Sequence, residues 1–367
     1  MIERPKHIRE LTPYQPGKTI QEASRDRAIA HYVKLASNEN PMGVSPMVVE
    51  AISQSCSSML HLYPEKRDPE LLGAIANHLG VSPKRLVCTA GIDSLLAYIL
   101  MAFSSQGEEI LTSEGSFIGI YVNAQKLGRT VKTVPLRDWT FDLDAISRAC
   151  TDQTRIIYVA NPNNPTSTAF GYKRLRSFLD RIPKHVLIIL DEAYFEYARE
   201  FEDYPNGIDL HQENVIVCRT MSKAYGLAGL RMGYAYATEG IVEELLKVRL
   251  PFEPSILARV AAHQALLDQN FLEEILELNR RSLKFLQNEL DRIGISYVPN
   301  SRCNFLMMLF DSAQIARQVV DQCLNQGIIL RGLESFGIDR GVRINTGTDD
   351  QNQLAISCLE KIVKTMQ

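Results

Sequence analysis

The chain is predicted to be an α/β protein: a large domain with a mainly parallel sheet flanked by helices, plus a smaller α+β domain. Three observations predict this. Arg155-Ile156-Ile157-Tyr158-Val159-Ala160, Val186-Leu187-Ile188-Ile189-Leu190 and Val215-Ile216-Val217-Cys218 are apolar, β-branched runs without alternation, the pattern of strands covered on both faces. Each run ends in a polar motif, so the motifs are expected together at the carboxyl edge of one sheet, where open α/β folds bind ligands. Beyond Pro251-Phe252-Glu253-Pro254 a long helical region from Ser255 to Ile293, broken at Asp268-Gln269-Asn270, gives way to the strand-like run Phe305 to Phe310. A chain of 367 residues is also long for a single core. The boundaries read here are 1–44 for an N-terminal arm, 45–250 for the large domain and 251–367 for the small one.

In chain order, the first forty residues are polar, with Pro13, Pro16 and Pro41 as breakers, and read as an irregular tail or as an arm laid over another surface. Ser45 to Ser53 reads as a short helix with Pro46 in its first turn, and Asp68 to Gly80 as another, opened by Asp68-Pro69 and closed by Gly80. Tyr63 lies between them in a turn. Arg85 to Thr89 reads as a strand, and Ala90-Gly91-Ile92-Asp93-Ser94 as the turn into a helix from Leu95 to Phe103. Unpaired N–H groups and the positive dipole end at such a turn suit an anion. Gly107 to Thr112 leads to Phe117, either a core aromatic or a flat ring for stacking.

The three apolar runs then deliver Asn161-Pro162-Asn163-Asn164-Pro165-Thr166, Asp191-Glu192-Ala193-Tyr194 and Ser222-Lys223, and Met232 to Ala237 continues the sheet. In the small domain Ser312 to Gln326 is amphipathic, and Ile328 to Leu330 and Val342 to Ile344 are short strands. Asp349 to Met366 is a closing helix, with caps and negative charge expected from Asp349-Asp350-Gln351-Asn352.

Composition narrows the function. A hydrophobic share of 45%, a charged share of 23% and a net charge of −3 are those of a globular protein with no broad attraction to nucleic acid or anionic membrane. Met1 to Glu10 has the makings of neither a secretory signal nor an anchor, and no apolar run nears the ~20 residues of a membrane helix. The seven cysteines are odd in number and never spaced C-x-x-C, which points to a reducing cytoplasm. Cys88, Cys218 and Cys303 read as small core residues. The histidines show no ligand spacing, and no metal is expected.

Lys223 at a strand end is, alone, an ordinary surface lysine. In an apolar pocket its ammonium form is disfavoured, which makes it an amine nucleophile toward a carbonyl cofactor. Ser222 and Arg231, the latter in a Gly-rich turn that is not regular helix, supply the hydroxyl and the cation that a phosphate monoester requires.

The run Ser222-Lys223-Ala224-Tyr225-Gly226-Leu227-Ala228-Gly229-Leu230-Arg231, preceded in order by the Asn161 and Asp191 motifs, is similar to the lysine motif of the pyridoxal-phosphate aminotransferases of the aspartate aminotransferase fold. The match also runs from Leu11-Thr12-Pro13-Tyr14-Gln15-Pro16-Gly17-Lys18 through Ser37-Asn38-Glu39-Asn40-Pro41 to Arg343-Ile344. In that breadth the chain resembles the histidinol-phosphate aminotransferases from end to end. The resemblance implies pyridoxal 5'-phosphate as cofactor, with Lys223, Asp191 and Tyr194 catalytic. Asp191 would face the ring nitrogen, Phe117 the ring, and Asn164 and Tyr194 the phenolic oxygen. Gly91, Ile92, Asp93, Ser222 and Arg231 would hold the phosphate. Tyr63 would reach the cofactor phosphate of the partner subunit in a homodimer whose N-terminal arm crosses the interface.

Tyr14, Asn38, Arg331 and Arg343 would bind substrate, although the two arginines read alone are surface charges. The activity implied is exchange of the amino group of L-histidinol phosphate with 2-oxoglutarate in histidine biosynthesis. An aromatic amino-acid aminotransferase and a threonine-phosphate decarboxylase-like lyase stay open. Two positions depart from the family pattern. Ser167 stands where glycine is usual, so the turn is expected to need no positive φ or to bend differently. Glu334 follows Arg331 closely and would repel a phosphate unless it turned away.

Overall fold

The computed structural model describes residues 2–11, 17–26, 29 and 31–366. Tyr14 lies outside the described residues. The strands are β1 (Val33–Lys34), β2 (Leu86–Thr89), β3 (Glu109–Ser113), β4 (Thr130–Val134), β5 (Thr154–Ala160), β6 (Leu187–Asp191), β7 (Val215–Thr220), β8 (Gly233–Tyr236), β9 (Ser296–Tyr297), β10 (Phe305–Leu309), β11 (Ile328–Ile329), β12 (Arg331–Gly332) and β13 (Gly341–Asn345). Strands β2 to β8 form one seven-stranded sheet in the order β2-β8-β7-β6-β5-β3-β4. Only β8 is reversed, pairing antiparallel with β2 and β7, while the other pairings are parallel.

This register positions the site. Ala160 pairs with Asp191 and Asp191 with Cys218, so the polar motifs after β5, β6 and β7 emerge side by side. Gly233 pairs with both Thr89 and Thr220, which brings the turn after β2 against the turn after β7. Burial explains why the central strands are predominantly apolar: Ile156, Ile157, Tyr158, Val159, Ile189 and Ile216 have no exposed surface. Each such side chain contributes roughly 1.5–3 kcal/mol relative to exposure.

The antiparallel sheet β12-β13-β10-β9 packs a second apolar cluster that includes Leu286, Leu306, Val342, Ile344 and Leu359. Helix Ile256–Leu267 gives Ala258, Ala261 and Ala262 to the first cluster, as helix Gln269–Arg292 does Leu272, Ile275 and Leu276. The latter helix then gives Leu286 and Leu290 to the second.

Local chemistry accounts for the helix ends. Ser45 caps Pro46–Ser58 by accepting from the Met47 N–H, and Asp68 caps Pro69–Leu79, which Gly80 closes at φ 67°. Asp268 breaks the long helical region as expected, because its Oδ1 accepts from the Phe271 N–H and starts a new helix. The closing helix Asp349–Met366 departs in detail: Thr348 rather than Asp349 is its cap, exchanging hydrogen bonds reciprocally with Gln351 in a capping box.

The N-terminal region carries more secondary structure in its described residues than expected, with helices Lys6–Arg9 and Ile20–Asp26 and β1 paired parallel to β11. It buries Ala23 beside Leu324 and Ile329, contacts too distant in sequence for periodicity to reveal. Helix Ile92–Phe103 begins earlier than Leu95. The sequence reading also passed over helices Ile118–Lys126, Leu143–Ala149, Tyr172–Arg181 and Glu239–Val248 and the partly exposed edge strand β4.

Candidate active site

At the carboxyl edge of the large sheet a cavity of about 170 Å³ is bordered by Lys223, Asp191, Phe117, Asn164, Tyr194, Ser222 and Arg231, with Ile92 and Asp93 at one end. Ten of the expected site residues therefore meet here or, in the case of Gly91, directly behind. Asp191 ends β6 and is 3% exposed. Its Oδ2 accepts from the Tyr158 hydroxyl at 2.7 Å and its Oδ1 from the Ala193 N–H at 3.0 Å. Burial outweighs both donors and pushes the carboxyl up to about 6, so it is still mainly ionised at neutral pH.

Lys223 sits in the turn after β7. Its Nζ donates to the Ser37 carbonyl at 3.2 Å and lies 5.8 Å from the centre of the Tyr194 ring. Burial first, then the Arg343 charge, lowers its ammonium to about 8. The turn is held by the segment before the first long helix: Asn40 Nδ2 donates to the Ala224 carbonyl at 2.8 Å. Gly226, at φ 74°, comes so close that an added Cβ would stand 2.0 Å from the Gly43 oxygen. No other residue fits there.

At the opposite end Gly91, at φ 88°, opens helix Ile92–Phe103 without a side-chain cap. Arg231, at φ 56°, lies over it: a Cβ at Gly91 would be 2.7 Å from the arginine Nη2. Arg231 also approaches Asp93 at 3.8 Å. The Thr220 hydroxyl donates to Ser222 Oγ at 3.0 Å and accepts from the Ser222 N–H. Hydroxyls, a guanidinium and free helix N–H groups thus converge on one spot, as an anion requires.

A third group of contacts joins the seven-stranded sheet to the antiparallel sheet β12-β13-β10-β9. Asn38, at φ 55°, donates from Nδ2 to the Tyr194 hydroxyl at 2.7 Å. Its backbone is held by Asn345 Oδ1 at 3.2 Å and Asn304 Nδ2 at 3.1 Å. Arg343, buried on β13, donates to Asn164 Oδ1 and to the Ala36 carbonyl at 2.6 Å. Burial raises the Tyr194 phenol, keeping it protonated.

Other expected site residues lie apart from this cavity. Tyr63 is 80% exposed and stacks on Phe252 with centroids 4.3 Å apart. Arg331 borders a separate depression with Lys18, Arg317 and Glu334 and donates to Ser335 Oγ at 3.2 Å. Glu334 borders the same depression, with its carboxylate 2.6 Å from the position a Cβ on Gly332 would take. Gly17, next to the undescribed segment containing Tyr14, packs on Arg331, an added Cβ falling 3.5 Å from Nη1. Ser167 overturns the first of its two readings, that the turn needs no positive φ. It adopts φ 64° while fully buried, because its N–H is tied to the Asn163 carbonyl at 2.9 Å and its own carbonyl to the Arg302 N–H.

The sequence reading missed Tyr158, Ala193 and Thr220, which border the cavity, and a buried pair behind it. There Arg219 donates from Nη2 to Glu192 Oε2 at 2.7 Å with its guanidinium 3.3 Å from the Phe195 ring centre. A tyrosine and an arginine inside otherwise apolar strands were the available signals. Among the described residues no group of three or more His, Cys, Asp or Glu converges as metal ligands would.

The family model for aminotransferase class I and II matches residues 30–359. The chain is similar, at 37% identity covering 98% of it and 99% of the relative, to histidinol-phosphate aminotransferase 2 of Carboxydothermus hydrogenoformans. It is 39% identical over the whole of both chains to a histidinol-phosphate aminotransferase of a Geobacillus species. Among solved structures it resembles histidinol-phosphate aminotransferase from Sinorhizobium meliloti in complex with pyridoxal-5'-phosphate, with TM-score 0.90, 29% identity and coverage of 100% and 99%. Thermus thermophilus aspartate aminotransferase, at 20% identity and TM-score 0.86, shares the fold. With a family model spanning most of its length and full-length relatives of such identity, the chain belongs to the class I and II aminotransferases, in the histidinol-phosphate aminotransferase family.

Proposed function

We propose that this protein is a pyridoxal-phosphate-dependent aminotransferase that interconverts L-histidinol phosphate and 2-oxoglutarate with imidazole acetol phosphate and L-glutamate. One observation carries the reading: Lys223 and the buried Asp191 border the same cavity, together with Ser222 and Arg231. The donor set suits the cofactor end to end. Ser222, Arg231 and the helix N–H groups behind Gly91 and Ile92 suit the phosphate, with Asp93 bracing Arg231. Phe117 suits the ring face, Asn164 and Tyr194 a phenolic oxygen, and Asp191 a protonated ring nitrogen. When bound, pyridoxal phosphate supplies an electron sink for the pair left at the substrate α-carbon.

The chain's residues do the rest. Lys223 is the attachment residue and, as a free amine, takes and returns the α-proton. Its tether in the cavity gives it a large proximity advantage. Asp191, kept ionised, favours the protonated nitrogen, and the Asn38 bond orients the Tyr194 hydroxyl. Arg343 and Arg331 are assigned to the anionic ends of the substrates, with Tyr14 and Asn38 beside them.

A homodimer is part of the proposal. Leu60, Leu62, Tyr63, Leu250 and Phe252 are each about half exposed or more, an apolar group that a second copy would cover. Tyr63 would then serve the partner's site, and the arm 1–44 would cross the interface. The domain division is proposed with one change: the apolar clusters favour grouping 251 to about 280 with the large domain, since that segment feeds the first core. A reducing cytoplasm suits seven free thiols.

The test is an amino-donor panel with 2-oxoglutarate as acceptor: histidinol phosphate, phenylalanine, tyrosine and threonine phosphate. Histidinol phosphate is expected to give at least about a hundredfold higher kcat/KM than the aromatic donors. Preference for an aromatic donor, or carbon dioxide released from threonine phosphate, overturns the substrate assignment.

A further inference from the structure

Resting on the cofactor reading above, we propose that Tyr158 is a positioning residue for the reaction: its phenol holds the Asp191 carboxylate in the orientation that meets a ring nitrogen in the cavity. Tyr158 pairs with Ile189 across β5 and β6. Asp191, two residues further on, therefore projects from the same face of the sheet. Both side chains are buried, at 0% and 3% exposure, and both border the cavity. The phenol donates to Oδ2 at 2.7 Å while the Ala193 N–H occupies Oδ1. A carboxylate has about four acceptor positions, so two donors pin its plane and leave acceptor capacity toward the cavity.

The other groups around Asp191 do not replace this donor. Asp93 of helix Ile92–Phe103 and Glu192, next in the chain, both raise its carboxyl further. Cys218 on β7 and Tyr194 are acids held protonated by burial, and Lys223 and Arg231 are cations bordering the same cavity. The phenol of Tyr158 is itself pushed well above its usual range by burial and by Asp191, so it remains a donor at every working pH. Without it, Asp191 would keep one backbone donor in a buried site, and its neutral form would gain.

The experiment is a double-mutant cycle of Tyr158→Phe and Asp191→Asn, read first as the affinity of the apoprotein for pyridoxal phosphate by equilibrium dialysis. Tyr158→Phe is expected to weaken binding about tenfold. It should also move the midpoint of the pH titration of the bound cofactor's visible absorption by about half a unit or more, and to lower kcat of the glutamate half-reaction with KM nearly unchanged. In the Asp191→Asn background the same substitution should do nothing further, because Tyr158 acts through that carboxylate.

Additive effects in the cycle, or a Tyr158→Phe protein with unaltered affinity and titration and only a lower melting temperature, overturn the proposal. 3-Fluorotyrosine at position 158 keeps the fold's hydroxyl and strengthens it as a donor, so the titration midpoint should move oppositely; an unmoved midpoint also overturns it. Wild-type protein that binds no pyridoxal phosphate sinks the cofactor reading as well, whereas wild-type binding with an inert Tyr158 sinks this inference alone.

Discussion

Lys223 carries the sharpest residue-scale consequence. Its ammonium titrates near 8 because burial and Arg343 both oppose the charge. The nucleophile is the neutral amine, so its availability rises with pH until the ammonium is lost. At pH 7 about one molecule in ten holds it neutral, against about one in 3,000 for an unperturbed lysine. Capture of pyridoxal phosphate by the apoprotein is therefore expected to accelerate about tenfold per pH unit up to near 8 and then level off. Stopped-flow absorbance from pH 6 to 10 checks this, and a rate still climbing tenfold per unit at pH 9.5 contradicts it. Ser167 teaches something different at the same scale. Its polar side chain gave no reason to expect a left-handed residue, and only the backbone bonds to Asn163 and Arg302 impose it.

At the scale of elements, Asp268 ties three segments together. It ends helix Ile256–Leu267, caps helix Gln269–Arg292 and accepts at Oδ2 from the Ser45 hydroxyl at 2.5 Å. Asp268→Ala removes a cap and a cross-link at once. It is expected to cost about 1–3 kcal/mol, seen as a lower urea midpoint with an unchanged slope; a midpoint equal to wild type would exclude this role.

The pair of Arg219 and Glu192 fixes β7 against the turn after β6. Glu192 Oε1 also accepts from the Gly207 N–H at 2.8 Å, so the acid is satisfied on both oxygens. Arg219→Met would leave it buried and unpaired, a loss of about 3–5 kcal/mol measurable by the same denaturation. The helix starts at Ser45, Asp68 and Asp268 were legible because a cap is a local side-chain bond. The ion pair was not, because one partner lies on β7 and the other in the turn after β6.

At the scale of the molecule the exposed apolar group around Tyr63 is the decisive feature. Leu62→Asp combined with Phe252→Asp places two charges where a second copy would bury them, and each desolvated charge opposes association. On the proposed homodimer, light scattering is expected to show a monomer in place of a dimer, with activity lowered about tenfold or more because the proposed contribution of Tyr63 to the second site would be lost. A variant that remains dimeric refutes the interface. Among the described residues no helix is long and apolar enough to cross a membrane.

What the amino-acid order determined by itself was whatever rests on neighbours in the chain: the apolar strands, most helix caps and the motifs that end each strand. Parallel pairing then sends those ends to a common edge, so Lys223, Asp191 and Asn164 could be expected together before any coordinates. Tertiary structure alone decided that Tyr158 stands beside Asp191, that Arg343 reaches Asn164, and that Arg331 and Tyr63 lie apart from the cavity. Those relations depend on strand order, register and the packing of one sheet on another. They join residues tens to hundreds of positions apart, and no local periodicity encodes them.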